Sequence, residues 1–149
     1  MLLLRYKGVF RVKISTRGRY ALRMMADLAQ HSNESAVALK DIAQRQGISK
    51  KYLEQIVPLL SKTGYLTTSR GFQGGYRLSK EPKDCYVGQI LRCTEGSLAP
   101  VSCLEDDKNM CKNCNDCLTL PIWEKLEKLM CEYLDSISLE DIIDRKIKK

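Results

Sequence analysis

The sequence predicts a mainly α-helical protein with a small β-hairpin wing: a winged helix-turn-helix domain plus a long dimerisation helix. Three observations predict it. Between Leu39 and Leu60, two stretches of helical period are separated by Gly47, a residue that tolerates the positive φ of a tight turn. Directly after them, the β-favouring runs Tyr65–Ser69 and Tyr76–Leu78 flank a glycine-rich tip, Arg70-Gly71-Phe72-Gln73-Gly74-Gly75. Towards the C-terminus, Ile122, Leu126, Leu129, Met130, Tyr133, Leu134 and Ile137 recur at three- and four-residue steps. Such spacing makes the apolar stripe of an amphipathic helix of about four turns.

Taken in order, residues 1–12 carry no periodic pattern and are expected to be a disordered arm or an extension ahead of the natural start. Ser15 and Thr16 can cap a helix running to about His31, with Tyr20, Leu22, Met24, Met25, Leu28 and Ala29 on its buried side. Arg17, Arg19 and Arg23 crowd its first turns, where positive charge opposes the helix dipole. Phosphate contact accounts for that choice, and so does simple solvation. Leu39, Ile42 and Ala43 begin the next helix on one apolar side. After Gly47, Ser49 is a suitable N-cap for a further helix whose core side is Tyr52, Leu53, Ile56, Leu59 and Leu60. Its leading face is polar and basic: Ser49, Lys50, Lys51, Glu54 and Gln55. Helix, glycine turn and helix with such a leading face is the pattern of a helix-turn-helix DNA reader. Pro58 predicts a kink or a late break, since proline removes a helical hydrogen bond and crowds the preceding turn.

Gly64 is expected to end that helix, and the hairpin follows as a wing. Gly71, Gly74 and Gly75 let its tip lie close to another backbone. Arg70 at its base can enter a narrow, A·T-rich minor groove, where the negative potential is enhanced. Lys80–Asp84 then reads as a polar linker, and Val87 to about Glu95 as a short helix carrying Ile90, Leu91 and Cys93, closed by Gly96. Ser97–Leu118 has no hydrophobic period. The long amphipathic helix has a wider apolar stripe than one small domain needs to cover, which predicts a dimer helix; packing on its own winged helix is the alternative. Ser138 and Asp141 have the spacing of a capping box and open a last short helix with Ile142 and Ile143. The expected division is 1–12 as arm, 13–84 as DNA-binding domain, 85–119 as short helix and cysteine-rich sensor loop, and 120–149 as dimerisation helix and C-terminal helix.

The chain has 149 residues, 44% of them apolar, enough for a real core. Its net charge of +7 is unevenly placed. Residues 1–84 hold 16 Lys/Arg against 6 Asp/Glu, a net +10, and residues 85–149 hold 9 against 12, a net −3. The positive field sits with the helix-turn-helix, where phosphate attraction would be used. No run approaches the roughly 18 apolar residues of a membrane span, and the N-terminus is too interrupted by charge for a secretory signal. A cytoplasmic protein is expected. A single histidine with no matching nucleophile argues against triad or acid–base catalysis, so no enzyme is expected.

Seven cysteines in such a chain point to metal or redox chemistry rather than a disulfide framework. Cys103, Cys111, Cys114 and Cys117 lie within fifteen residues, spaced Cys-x7-Cys-x2-Cys-x2-Cys. A loop this poor in apolar residues cannot hold itself by burial, whereas thiolates on a metal centre would order it. Soft thiolates select zinc, copper(I) or iron–sulfur centres. Ordinary thiols are the alternative. Cys85, Cys93 and Cys131 sit in or beside apolar patterns and are expected to be inert.

Several stretches together resemble the IscR-like winged-helix regulators, the Rrf-two family. They are Ile14-Ser-Thr-Arg-Gly-Arg-Tyr-Ala21, Ile42-Ala-Gln-Arg-Gln-Gly-Ile-Ser49, Tyr52-Leu-Glu-Gln55, Arg70-Gly-Phe-Gln-Gly-Gly-Tyr76, and Cys117-Leu-Thr119 with Trp123. The resemblance covers about residues 12–143 and implies a homodimeric transcription regulator on a palindromic double-stranded DNA operator. It puts Lys51 and Tyr52 on the reading face, Glu54 at a position that discriminates operators, and Arg70 on the wing. In cluster-binding members three cysteines are ligands, which implies Cys103, Cys111 and Cys117 here, with Cys114 as candidate fourth. The chain departs from those members in three ways. Its first cysteine gap is seven residues where some have five, Leu120 stands where a ligand histidine occurs, and Arg19 stands where some supply a carboxylate. The cofactor implied is an iron–sulfur cluster, 2Fe-2S ahead of 4Fe-4S; zinc or no metal are alternatives. Other members, CymR among them, bind no cluster, which implies a second version: a repressor controlled by a partner protein or by thiol oxidation. An iron–sulfur electron carrier and a structural zinc protein are remote alternatives, since neither needs a wing.

Overall fold

The computed structural model describes residues 14–31, 35–106 and 111–148. The N-terminal arm expected from the sequence lies outside the described residues. Helix α1 spans Thr16–His31. The Gly18 amide donates to Ser15 Oγ at 3.1 Å, and Ser15 donates to the Glu95 carboxylate at 2.5 Å, so its N-terminus is capped and tied to a distant helix end. Ala21, Met24, Met25 and Leu28 are fully buried, and Tyr20 and Leu22 lie half buried at the edge of that face.

Helix α2 (Leu39–Gln46) ends at Gly47, whose φ of 62° is the left-handed value the turn requires. Helix α3 (Lys50–Lys62) starts at Ser49, whose hydroxyl accepts the Tyr52 amide at 3.2 Å. Leu53, Ile56 and Leu60 are its buried row. Of the kink or late break expected at Pro58, the break does not occur: the helix continues to Lys62. The physical reason is position. Pro58 and Glu54 are both exposed, so the hydrogen bond that proline removes lies on the outer side of the helix, away from the core row.

Strands β1 (Leu66–Ser69) and β2 (Gly75–Leu78) form the antiparallel wing, in register Leu66↔Leu78 to Ser69↔Gly75. Val37 extends it by one residue, exchanging backbone hydrogen bonds with Tyr76 at 2.8 and 2.9 Å. A side chain at position 75 would overlap the Val37 carbonyl, so Gly75 is what lets the wing seat on the segment before α2. The close backbone approach expected of the wing glycines is made there.

Helix α4 (Val87–Glu95) crosses α1, and Ile90 enters the core with Met24 and Leu53. Helix α5 (Leu120–Asp135) leads to α6 (Leu139–Ile143), opened by the expected capping box: Asp141 donates its amide to Ser138 Oγ at 3.1 Å and accepts the Ser138 amide at 2.9 Å. Leu139 is fully buried in the main core, and its amide donates to the Cys85 carbonyl at 2.8 Å. Helix α6 is therefore fastened to the same core as the helix-turn-helix. A smaller apolar cluster of Val87, Leu91 and Leu98 receives Leu134 and Ile137. Among the described residues no helix is long and apolar enough to cross a membrane.

Candidate nucleic-acid interface and cysteine loop

The exposed row of α3 is Lys50, Lys51, Glu54 and Gln55. Lys50 pairs with Glu54 at 3.5 Å, one turn along. Tyr52 is half buried instead of free on that face, its ring meeting Tyr20 edge-on with centroids 5.2 Å apart. The start of α3, the start of α2 and the wing enclose a groove of about 300 Å³, lined by Lys40, Lys50, Thr68, Ser69, Gly74 and Gly75 among others. Two helix N-termini therefore add partial positive charge beside two lysines. Arg70 is exposed where β1 enters the tip, and Gly71 follows with φ 111°. Arg17 is exposed on the first turn of α1. The surface thus offers a rigid helix face, flanking cations and a hairpin, an arrangement suited to phosphates and base edges.

What holds that face in place was not legible in the sequence. Asp27 of α1 is fully buried and accepts from Arg45 Nε at 3.0 Å, Arg45 Nη2 at 2.6 Å and Gln46 Nε2 at 2.9 Å. Burial pushes the Asp27 carboxyl up, but the Arg45 and Gln46 hydrogen bonds outweigh it and hold it below the usual carboxylate range. Gln46 also accepts from Arg23 Nε at 3.2 Å, and its carbonyl from Arg23 Nη2. The Arg23 guanidinium lies 5.5 Å over the Tyr20 ring, and Tyr20 meets Tyr52. Asp27 is thus linked through Gln46, Arg23 and Tyr20 to the reading helix. The signal available in the sequence was a lone carboxylate on the Met24–Leu28 face of α1. Lys40 was also missed, because only the fold brings the start of α2 to the groove.

The cysteines divide in two. Cys85 is buried, and burial pushes its thiol up. Cys103, in a tight 3-10 turn at Ser102–Leu104, is half buried and lines a cavity of about 600 Å³ with Arg92, Leu98, Glu124, Glu127 and Cys131. Cys111 is exposed, and Cys114 opens a second such turn at Cys114–Asp116. Hydrogen bonds from the Thr119 hydroxyl and from the Thr119 and Leu120 amides lower the Cys117 thiol, with Sγ 3.5 Å from Thr119 Oγ1. Soft thiolates in a polar loop are the donor chemistry of a metal–thiolate centre. Among the described residues, however, no three His, Cys, Asp or Glu side chains are grouped to hold an ion.

On the outer side of α5, Ile122 is 57%, Leu126 36%, Leu129 50% and Tyr133 58% exposed. Met130, Leu134 and Ile137 of the same predicted stripe are half buried, the last two against Val87, Leu91 and Leu98. Arg92 forks onto the Asp135 carboxylate at 2.7 and 2.8 Å, fixing α5 on α4.

Residues 14–145 match the family described as "Rrf2: Iron-dependent Transcriptional regulator". The chain belongs to the Rrf2 family of transcriptional regulators. Protein rrf2 of Nitratidesulfovibrio vulgaris is 42% identical over 132 residues, covering 89% of this chain and 87% of that protein. Among solved structures, CymR (YrzC), the global cysteine regulator of B. subtilis, is 38% identical with a TM-score of 0.74, covering 89% of this chain and 97% of that one. T. potens IscR is 43% identical with a TM-score of 0.73, covering 94% and 92%. The expected winged helix-turn-helix fold, and an Rrf2 regulator that binds DNA, follow from these together with the geometry above.

Proposed function

We propose that the chain acts as a homodimeric, cytoplasmic DNA-binding regulator in which the polar face of α3 reads the major groove and the wing contacts the adjacent minor groove. The observation carrying this is the juxtaposition of the capped, basic start of α3 with Lys40 and the wing around one groove. Ser49, Lys50, Lys51 and Glu54 serve the helix, with Tyr52 positioning it against Tyr20, and Arg70, Gly71, Gly74 and Gly75 serve the wing, with Arg17 as a phosphate contact. Ile122, Leu126, Leu129 and Tyr133 form the dimer face; Met130, Leu134 and Ile137 support it from beneath. Two recognition helices related by a dimer axis match successive major grooves of a palindromic operator.

Arg70→Ala is expected to cost about 1–3 kcal/mol on a duplex selected by the wild-type protein if Arg70 reads a base or groove. Titrations against selected and scrambled duplexes check it. Equal weakening on both would reduce Arg70 to a phosphate contact.

The cysteine loop is proposed as the sensor. Cys103, Cys111 and Cys117, with Cys114 as fourth candidate, would hold an iron–sulfur cluster; their soft donor chemistry and the iron-dependent description of the family support this. A specific observation favours a second version. Hydrogen bonds from Thr119 and Leu120 lower the Cys117 thiol, which suits direct thiol oxidation in a cluster-free repressor, or control by a partner protein. Protein purified without oxygen and assayed for iron, acid-labile sulfide and zinc separates the two. Matching iron and sulfide, lost with their colour in Cys111→Ala while the helical signal is retained, is the expected result for a cluster. A colourless, metal-free protein supports thiol or partner control, and zinc alone supports a structural centre.

A further inference from the structure

We propose that Phe72 is an apolar wedge that enters the DNA minor groove beside Arg70 and opens a base step. The proposal rests on the wing being a DNA contact and names what the wing does there. Phe72 is 107% exposed, the most exposed large apolar side chain among the described residues. It stands at the tip of the hairpin, beyond the last paired residues Ser69 and Gly75. The tip is closed by the Gly74 amide donating to the Gly71 carbonyl at 3.0 Å, with φ 111° at Gly71. Such tight turns favour glycine and small polar residues, so a phenylalanine there does not serve the turn. It belongs to neither apolar cluster formed by the described residues.

The charges around it select the partner. Arg70 and Gln73 are exposed on either side of the tip, and Lys40 and Lys50 line the groove beneath it. An apolar protein surface would not call for that setting, whereas a polyanion with stacked apolar bases would. The wing is also continuous with the reading face of α3 through the shared groove. Apolar side chains that enter a minor groove unstack one step and bend the duplex toward the major groove. Pyrimidine–purine steps yield most readily, so Phe72 would favour operators carrying one under the wing without a hydrogen bond to any base.

The test uses the full-length protein and a duplex it enriches from a random library. That duplex carries a dye pair at its ends and 2-aminopurine at the step beneath the wing. Wild-type protein is expected to shorten the end-to-end distance and raise 2-aminopurine fluorescence. Phe72→Ala is expected to lose both signals and about tenfold in affinity. Its salt slope should not change, because no phosphate contact is removed. Phe72→Leu should keep part of the bend, and Arg70→Ala should keep the fluorescence rise. A Phe72→Ala protein that bends and unstacks the duplex like wild type overturns the wedge. So does one whose DNA signals are unchanged but whose self-association falls, which would assign Phe72 to a protein contact. If the wild-type protein enriches no duplex, the DNA-contact assignment of the wing fails and the wedge with it. Enrichment without bending rejects the wedge alone.

Discussion

Leu129→Glu is expected to give a folded monomer that has lost at least about a hundredfold in affinity for its operator. The side chain sits at the middle of a row, Ile122, Leu126, Leu129 and Tyr133, that its own chain leaves between 36% and 58% exposed. Their steps of four, three and four residues put them on one face of α5. Burying the exposed half of each against a second copy contributes about 0.5–1.5 kcal/mol, and a carboxylate placed among them costs several kcal/mol because it would be desolvated without a partner. Only the dimer can fill two half-sites, so the loss appears in DNA affinity as well as in mass. Light scattering and DNA titration at one protein concentration check it. Leu134→Glu is the contrasting variant. It strikes the contacts of α5 with Val87, Leu91 and Leu98 and is expected to lower thermal stability first. A Leu129→Glu protein that remains a dimer would place the interface elsewhere.

Asp27→Ala is expected to cost about 3 kcal/mol of stability, or roughly 10 °C in Tm. The change leaves the Arg45 guanidinium and the Gln46 amide facing a site built for a carboxylate. The cost lies at the low end for a broken buried pair because Arg45 keeps a third of its side chain exposed. The pH dependence has a definite sign. The folded Asp27 carboxyl titrates below its unfolded value, so its contribution is complete above about pH 4 and is lost as pH falls through the lower folded pKa. The stability difference between wild type and Asp27→Ala should therefore be constant near neutrality and shrink below about pH 4. Chemical denaturation at several pH values measures it. A gap that persists unchanged into acid would assign the cost to packing instead of the ion pair.

Much of the reader was legible because its signals are local. Gly47 takes the left-handed turn and Ser49 caps α3, since each choice depends on the few residues around it. The Ser138–Asp141 capping box followed from spacing alone for the same reason. Pro58 does not break α3, because its local penalty depends on which way it faces, and that is set by packing. The cysteine spacing puts four thiols within fifteen residues, but which of them come together depends on how the loop is ordered, and among the described residues no three ligands are grouped.

The sequence by itself determined the order of helices and wing, the turn and cap residues, the basic first half and the amphipathic α5. These rest on periodicity and on backbone preferences a few residues long. Tertiary structure alone decided that Asp27 meets Arg45 and Gln46, that Val37 seats the wing, that Lys40 joins the groove, and that Leu134 of α5, with Ile137 just beyond the helix, packs inward while Ile122, Leu126, Leu129 and Tyr133 face outward. Those contacts join residues far apart in the chain, and their partners are fixed by how the shared core packs.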